Sequence, residues 1–137
     1  MSLEVNSITI EPARIAEPIF FFDTYAFYEI IKGNSHYQKY IGAGIVTTKL
    51  NVFELYFTFL KEGKTDLASI SFTTYYPFVK EFGEQVIKEA AHLKLSLNKR
   101  DVSMTDCIGY CMAQQLGILF LTGDPAFEQL DNVEFVV

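Results

Sequence analysis

Short apolar runs alternate along this chain with longer segments in which apolar residues recur at helical spacing. Two continuous runs, Ile19 to Phe22 and Ile118 to Leu121, are typical of strands that are buried on both faces of a parallel sheet. Weaker strand patterns lie at 45–47, 78–82 and 133–137, and helical patterns occupy 25–31, 35–40, 49–61, 65–76, 83–93 and 103–116. Strands that alternate with helices predict an α/β fold with a parallel sheet and right-handed crossovers.

An acidic residue follows each of the two apolar strands. Asp23 follows the first strand and Asp124 the second, where Pro125 can begin another helical turn. Open α/β sheets place their chemistry at the carboxyl ends of parallel strands, so both acids are candidate site residues. Each acid also has a purely structural interpretation, because Asp23 can cap the next helix and Asp124 can form a turn.

Two further acids lie on predicted helices. Ser103 and Asp106 form a variant capping box at the start of a helix that Gly117 ends, so Asp106 can be a capping residue alone. The helix at 49–61 is apolar around most of its circumference, with a narrow polar stripe of Asn51, Glu54, Thr58 and Lys61. Glu54 is either a solvated residue or faces a cleft, and a helix that is covered on most sides favours the cleft.

Length and composition limit the alternatives. The 137 residues suit one domain, which we place at residues 19–137, with residues 1–18 as an N-terminal arm or edge strand. The net charge of −6 argues against a protein that coats a nucleic-acid duplex. Half of the residues are hydrophobic, including 13 Phe and 8 Tyr, which is more than one small core readily hides and predicts a two-fold symmetric homodimer.

Cysteine, histidine and hydropathy patterns bear on location. Cys107 and Cys111 lie four residues apart on one predicted helix, fit neither a disulfide nor a zinc pattern, and are interpreted as reduced core residues. No apolar run approaches the roughly 18 residues of a membrane helix, and the N-terminus lacks a signal-peptide pattern. We therefore expect a cytoplasmic protein without membrane contact. His36 and His92 lie in helical stretches away from the strand ends and are expected to be ordinary surface or core residues.

A cluster of four carboxylates predicts a metal ion. Like charges repel at short range, and a divalent cation relieves that repulsion. Oxygen ligands suit hard ions, so Mg²⁺ or Mn²⁺ is the expected occupant. Such an ion lowers the pKa of water and stabilises the charge that develops on a phosphodiester. The chain offers no rival chemistry, since it has neither a nucleophile elbow nor a glycine loop that would cradle phosphates.

Four pieces of the sequence together resemble a PIN domain. They are the first strand with Asp23-Thr24, the helical Glu54, the motif Ser103-x-x-Asp106-x-x-Gly109, and the ending Leu121-Thr122-Gly123-Asp124-x-x-Phe127. The resemblance covers residues 19–137, and its most specific part is the spacing from Asp106 to Thr122-x-Asp124. It implies a three-layer α/β/α sandwich and a metal-dependent nuclease that mostly cuts RNA. Many PIN domains are the toxins of VapBC-type toxin–antitoxin pairs.

The resemblance also implies roles for individual residues. Carried over by position, the catalytic residues and ligands of Mg²⁺ or Mn²⁺ are Asp23, Glu54, Asp106 and Asp124. Thr24 and Thr122 are implied as supporting residues. The basic residues nearest by sequence for binding the RNA backbone are Lys49, Lys99 and Arg100, each of which can equally be a solvated surface charge. Two departures are that family members often carry a basic residue at the place of Gly123, and that 22 residues precede Asp23.

Two functions therefore stand as expectations. The first is an endoribonuclease that depends on Mg²⁺ or Mn²⁺, with RNA as substrate and, in a toxin role, an antitoxin protein as partner. The second is a catalytically idle PIN-like module that acts by protein association through its many Phe and Tyr residues. The acidic quartet favours the enzyme.

Overall fold

A computed structural model describes residues 18–98 and 101–137. Its strands are β1 (Ile19–Phe22), β2 (Gly44–Val46), β3 (Leu119–Thr122) and β4 (Val133–Phe135). Its α-helices are α1 (Thr24–Lys32), α2 (Lys49–Lys61), α3 (Thr65–Tyr75), α4 (Glu84–Ser96) and α5 (Met104–Leu116). Short 3₁₀ helices cover Ser35–Tyr40, Tyr76–Phe78 and Pro125–Phe127. The arm or edge strand expected at residues 1–18 lies, except for its last residue, outside the described residues.

The four strands form one parallel sheet in the order β2-β1-β3-β4. Phe21 of β1 pairs with Val46 on one side and with Phe120 on the other, so β1 lies inside the sheet. Because all neighbouring strands are parallel, their carboxyl ends lie at the same edge of the sheet. The predicted parallel α/β fold is confirmed.

Alternate residues of β1 face two separate helical layers. Phe20 and Phe22 pack in a core with α1, α2 and α3, where Phe27 and Phe59 are fully buried. Phe21 points to the opposite face and packs with α4 and α5. An apolar run that is buried on both faces is thus the middle layer of a three-layer α/β/α sandwich, as the resemblance implied.

The strand expected at 78–82 does not form. Val79 makes an isolated parallel bridge with Thr47, and the Lys80 N–H donates to the Thr47 carbonyl oxygen at 2.9 Å. The pairing stops there because Thr48 already caps α2, which leaves β2 only three residues long. Alternation of apolar residues at this place was not enough to make a strand without a neighbouring strand to pair with.

The second buried strand begins one residue later than its apolar run. The Ile118 N–H donates to the Ala113 carbonyl oxygen at 3.0 Å, and Gly117 closes α5 in the left-handed conformation with φ 70°. Ile118 therefore belongs to the C-terminal cap of the helix rather than to β3.

Candidate active site

The carboxyl ends of β1 and β3 open into a cleft of about 540 Å³. Asp23 follows β1, Asp124 follows β3, and both line this cleft. Glu54 reaches it from α2 and Asp106 from the first turn of α5. The fold thus brings together four acids that are spread over a hundred positions of the sequence.

Asp23 is the most deeply buried acid of the cleft, with 2% of its surface exposed. It is the N-cap of α1, and its Oδ1 accepts a hydrogen bond from the Ala26 N–H at 2.7 Å. Burial, and to a smaller extent the charges of Asp106 and Asp124, raise the pKa of Asp23 to about 8, against the opposing effect of hydrogen bonds with Thr122 and Ala26. The capping role is therefore real, and it engages one carboxyl oxygen in a site where negative charge accumulates.

Asp124 is held by the turn that follows β3. Its Oδ1 accepts from the Ala126 N–H at 2.9 Å, and its own N–H donates to the Thr122 hydroxyl at 3.1 Å. Thr122 is fully buried at the end of the strand. The turn interpretation is correct, and the same turn brings Asp124 into the lining of the cleft.

Asp106 combines a capping position with a place in the cleft. Its backbone N–H donates to the Ser103 hydroxyl at 3.0 Å, which is one half of a capping box. Burial raises the pKa of Asp106 to about 6, with further contributions from Glu54 and Asp124, while hydrogen bonding with Ser103 lowers it. The carboxyl therefore lies within electrostatic reach of two other acids of the cleft.

Glu54 is held in place by a chain of hydrogen bonds that runs from the cleft into the interior. The Thr24 hydroxyl donates to Glu54 Oε1 at 2.7 Å, and Asn51 Nδ2 donates to Thr24 Oγ1 at 3.1 Å. The Thr48 hydroxyl in turn donates to Asn51 Oδ1 at 2.6 Å. Asn51 is fully buried, although the sequence placed it on a polar stripe and gave it no role. Asn51 lies three residues before Glu54 on the same helical face, and this spacing was the sequence signal that could have shown its supporting role.

The basic residues expected to bind RNA are not gathered here. Lys49 Nζ pairs with Glu81 Oε2 at 3.1 Å, and Lys49 does not line the cleft. Lys99 and Arg100 lie outside the described residues. Within residues 18–98 and 101–137, no Lys or Arg lines the cleft. His36 and His92 are exposed and away from it, as predicted.

The donor set of the cleft suits a hard divalent cation. It consists of carboxylates with hydroxyl groups beside them, and it contains a buried acid whose pKa is raised partly by other acids. Among the described residues, no three His, Cys, Asp or Glu side chains converge into a ready-made metal cluster. Mg²⁺ usually keeps several water ligands and binds through one or two carboxylates, so the cleft fits such an ion without a closed protein cage.

Comparison with known proteins establishes the family. A model of the PIN domain matches residues 20–133, which is most of the chain, and the protein therefore belongs to the PIN domain family. A comparison with curated proteins gives no match. Membership of this family supports the nuclease class that the acidic quartet predicted.

Solved structures share the fold at low sequence identity. VapBC-1 from nontypeable Haemophilus influenzae is similar with a TM-score of 0.65 and 15% identity, over 86% of this chain and 96% of that one. A toxin–antitoxin complex from Klebsiella pneumoniae is similar with a TM-score of 0.64 and 16% sequence identity, over 83% of this chain and 94% of that one. VapC20 from Mycobacterium tuberculosis is a toxin that cleaves the sarcin-ricin loop. It is similar with a TM-score of 0.61 and 12% sequence identity, over 72% of this chain and 84% of that one. These likenesses show the fold.

Proposed function

We propose that this PIN domain is an endoribonuclease that depends on Mg²⁺ or Mn²⁺, with Asp23, Glu54, Asp106 and Asp124 as catalytic residues and metal ligands. The observation that carries the proposal is that all four carboxylates line one cleft at the carboxyl edge of the sheet. When bound there, a divalent cation would offset their mutual repulsion, acidify a water molecule and stabilise charge on a phosphodiester.

The protein's own contribution is to hold the carboxylates in fixed positions. Asp23 and Asp124 are each fixed by a backbone N–H, and Glu54 is fixed by the Thr24 hydroxyl. Fixed ligands keep the site from reorganising during the reaction, which is a large part of how enzymes stabilise charge. Thr24 and Thr122 thus take the supporting roles in the proposal, and Asn51 joins them.

The biological role that we propose is the toxin of a toxin–antitoxin pair, with an antitoxin protein as partner. It is supported by the fold, which this chain shares with the Klebsiella pneumoniae complex and with VapBC-1. We also propose a cytoplasmic location, supported by two free thiols, Cys107 and Cys111, that are buried in the core. No helix in the described part of the chain is long and apolar enough to cross a membrane.

The first test is to replace one acid and to measure both metal binding and RNA cleavage. Asp106→Asn or Asp124→Asn should lower Mn²⁺-dependent cleavage by about a hundredfold or more, because each removes a charge that the cation needs. The fold should persist, since an amide can still occupy a cap or a turn. Asp66→Asn is a matched control, because Asp66 also lies in the first turn of a helix but does not line the cleft.

The alternative of an idle module is favoured by exposed aromatic residues on α2, where Phe53 is 67% and Phe57 50% exposed. A Mn²⁺ titration separates the two functions. The enzyme should bind Mn²⁺ and lose that binding in Asp124→Asn. A parent protein that binds no Mn²⁺ and cleaves no RNA would support the idle module instead.

A further inference from the structure

Two tyrosines line the cleft beside the acids: Tyr28, whose ring stacks on Phe59, and Tyr25. Tyr25 is the second residue of α1, it lines the cleft with Asp23, Asp106 and Asp124, and 40% of its surface is exposed. The helical spacing of the sequence suggested an ordinary apolar position for it. Its place in the cleft instead leaves a large ring surface facing the space where a substrate would lie.

The ring is held there by its neighbours. It meets the buried Tyr37 edge-on, with ring centroids 6.0 Å apart and an angle of 64° between the planes. Tyr37 is itself anchored, because its hydroxyl donates to the Val136 carbonyl oxygen at 2.6 Å. Tyr25 is therefore a partly exposed ring on a rigid support.

Gly123 makes room for this arrangement. A Cβ atom at that position would lie 2.5 Å from Cε1 of Tyr25 and 2.6 Å from the Val136 carbonyl oxygen, both far inside normal contact distance. The ring of Tyr25 thus occupies the space that a side chain would need between Thr122 and Asp124. A larger residue at 123 must displace either the ring or the end of the sheet.

We propose that Tyr25 is the platform on which an unpaired base of the substrate stacks. The inference rests on the proposed function for RNA as the polymer and adds the residue that holds one of its bases. Among the described residues no Lys or Arg lines the cleft, so these residues supply no local cation that would hold the RNA backbone. Stacking does not need such charges, and it requires bases that are not already stacked in a duplex.

The test is binding of a single-stranded RNA oligonucleotide that carries 2-aminopurine, measured in Ca²⁺ by the fluorescence of that base. Stacking on Tyr25 should quench the fluorescence of the bound oligonucleotide. Tyr25→Leu should abolish the quenching. It should also weaken RNA binding by a factor of about 5 to about 100, which is the range expected for the loss of one base–aromatic stack. Tyr25→Phe keeps the ring and should bind within about two-fold of the parent.

Two further variants complete the design. Tyr76→Leu is the control, because Tyr76 is a tyrosine of similar exposure, 43%, that does not line the cleft, and it should leave quenching unchanged. Gly123→Val tests the support of the ring, and it should reduce quenching if the ring of Tyr25, rather than the chain at Val136, gives way to the new side chain. Circular dichroism and thermal melting of each variant show that the fold is retained. A duplex of the same sequence should bind more weakly, and Tyr25→Leu should not change its binding.

Three results would overturn the inference: no quenching in the parent, unchanged binding of Tyr25→Leu, or a Tyr25→Phe variant as weak as Tyr25→Leu, which would assign the contact to the hydroxyl. The proposed function fails on a separate result, namely that the parent cleaves no RNA with Mg²⁺ or Mn²⁺. Because quenching is measured without cleavage, each failure can be seen without the other.

Discussion

At the scale of single residues, burial dominates the behaviour of Asp23. Its pKa rises from 3.8 to about 8, chiefly because the carboxyl is removed from water, and secondarily because Asp106 and Asp124 lie near it. Between these two values the unfolded chain has lost the proton and the folded, metal-free protein keeps it. The folded state then binds more protons, so the free energy of unfolding falls as pH rises through this window. Asp106 acts in the same direction up to a pH of about 6.

We expect the metal-free protein to lose stability between about pH 5 and pH 8, as measured by urea unfolding in EDTA. Asp23→Asn should flatten this dependence, because an amide does not titrate and its oxygen can still accept the Ala26 N–H. Asp66→Asn, on the exposed first turn of α3, should leave the slope unchanged. A parent protein and an Asp23→Asn variant with equal slopes would show that Asp23 is ionised in the fold.

At the scale of elements, the position of α5 depends on one glycine. A Cβ atom at Gly109 would lie 2.6 Å from Cε1 of Phe21 and 3.1 Å from Cε1 of Phe120. The helix therefore lies closer to the sheet than any other residue type at this position would allow. Asp106 stands one turn earlier on the same helix, so this close contact also sets how far its carboxyl reaches into the cleft.

Gly109→Ala should destabilise the protein, although alanine is the better helix former by about 1 kcal/mol. Overpacking against two buried rings costs roughly 1–3 kcal/mol and should outweigh that gain. Urea unfolding measures whether the substitution lowers or raises the free energy of unfolding. RNA cleavage should fall together with stability, because the displaced helix moves Asp106. Gly83→Ser is the control, since Gly83 caps α4 in open space and serine is a better cap. Increased stability of Gly109→Ala would mean that the sheet and helix can separate freely.

At the scale of the whole molecule, apolar side chains remain exposed on the outer side of α2 and α3. Phe53 stacks on Phe57 with ring centroids 6.2 Å apart, and Ile70 and Phe72 of α3 are 60% and 42% exposed. Exposed apolar patches usually mark interfaces. The homodimer expected from composition remains a prediction, and this surface is where we place it.

Sedimentation at a protein concentration of tens of micromolar should show a dimer. At that concentration, a dimer with a dissociation constant of about 1 μM is almost fully formed. Phe57→Glu should give a monomer, because it places a charge in the apolar contact. Leu95→Glu changes an apolar residue of α4 that is even more exposed, at 70% against 50% for Phe57, and should stay dimeric. A monomeric parent at this concentration would contradict the prediction.

The net charge of −6 gives a second prediction for the whole molecule. An acidic protein gains little from long-range attraction of RNA, and few lysines or arginines can contact the backbone. With two or three phosphate contacts, the log–log slope of affinity against KCl should be about −2 for single strands. Affinity should instead depend strongly on Mn²⁺, and this dependence should be lost in Asp124→Asn. Tight, metal-independent binding with a steep salt slope would indicate a basic surface elsewhere.

The sequence by itself determined the layers and the sheet edge of this protein. Runs such as Ile19 to Phe22 are apolar at every position, which is typical of a strand covered on both faces. Asp23 and Asp124 could be placed at one edge because parallel strands share the direction in which they end. Caps were equally readable, since Ser103 and Gly117 act on the backbone within a few residues of themselves.

Only the tertiary structure decided which side chains meet, how deeply they are buried and which charges remain free. Thr24 of α1 is hydrogen-bonded to Asn51 and Glu54 of α2, which lie 27 and 30 positions away in the sequence. The pairing of Lys49 with Glu81 and the ring of Tyr25 over Gly123 likewise depend on contacts between distant segments. A sequence pattern carries the period and ends of one element, whereas these contacts depend on how several elements pack together. The raised pKa of Asp23 has the same origin, because burial is a property of everything that surrounds a residue.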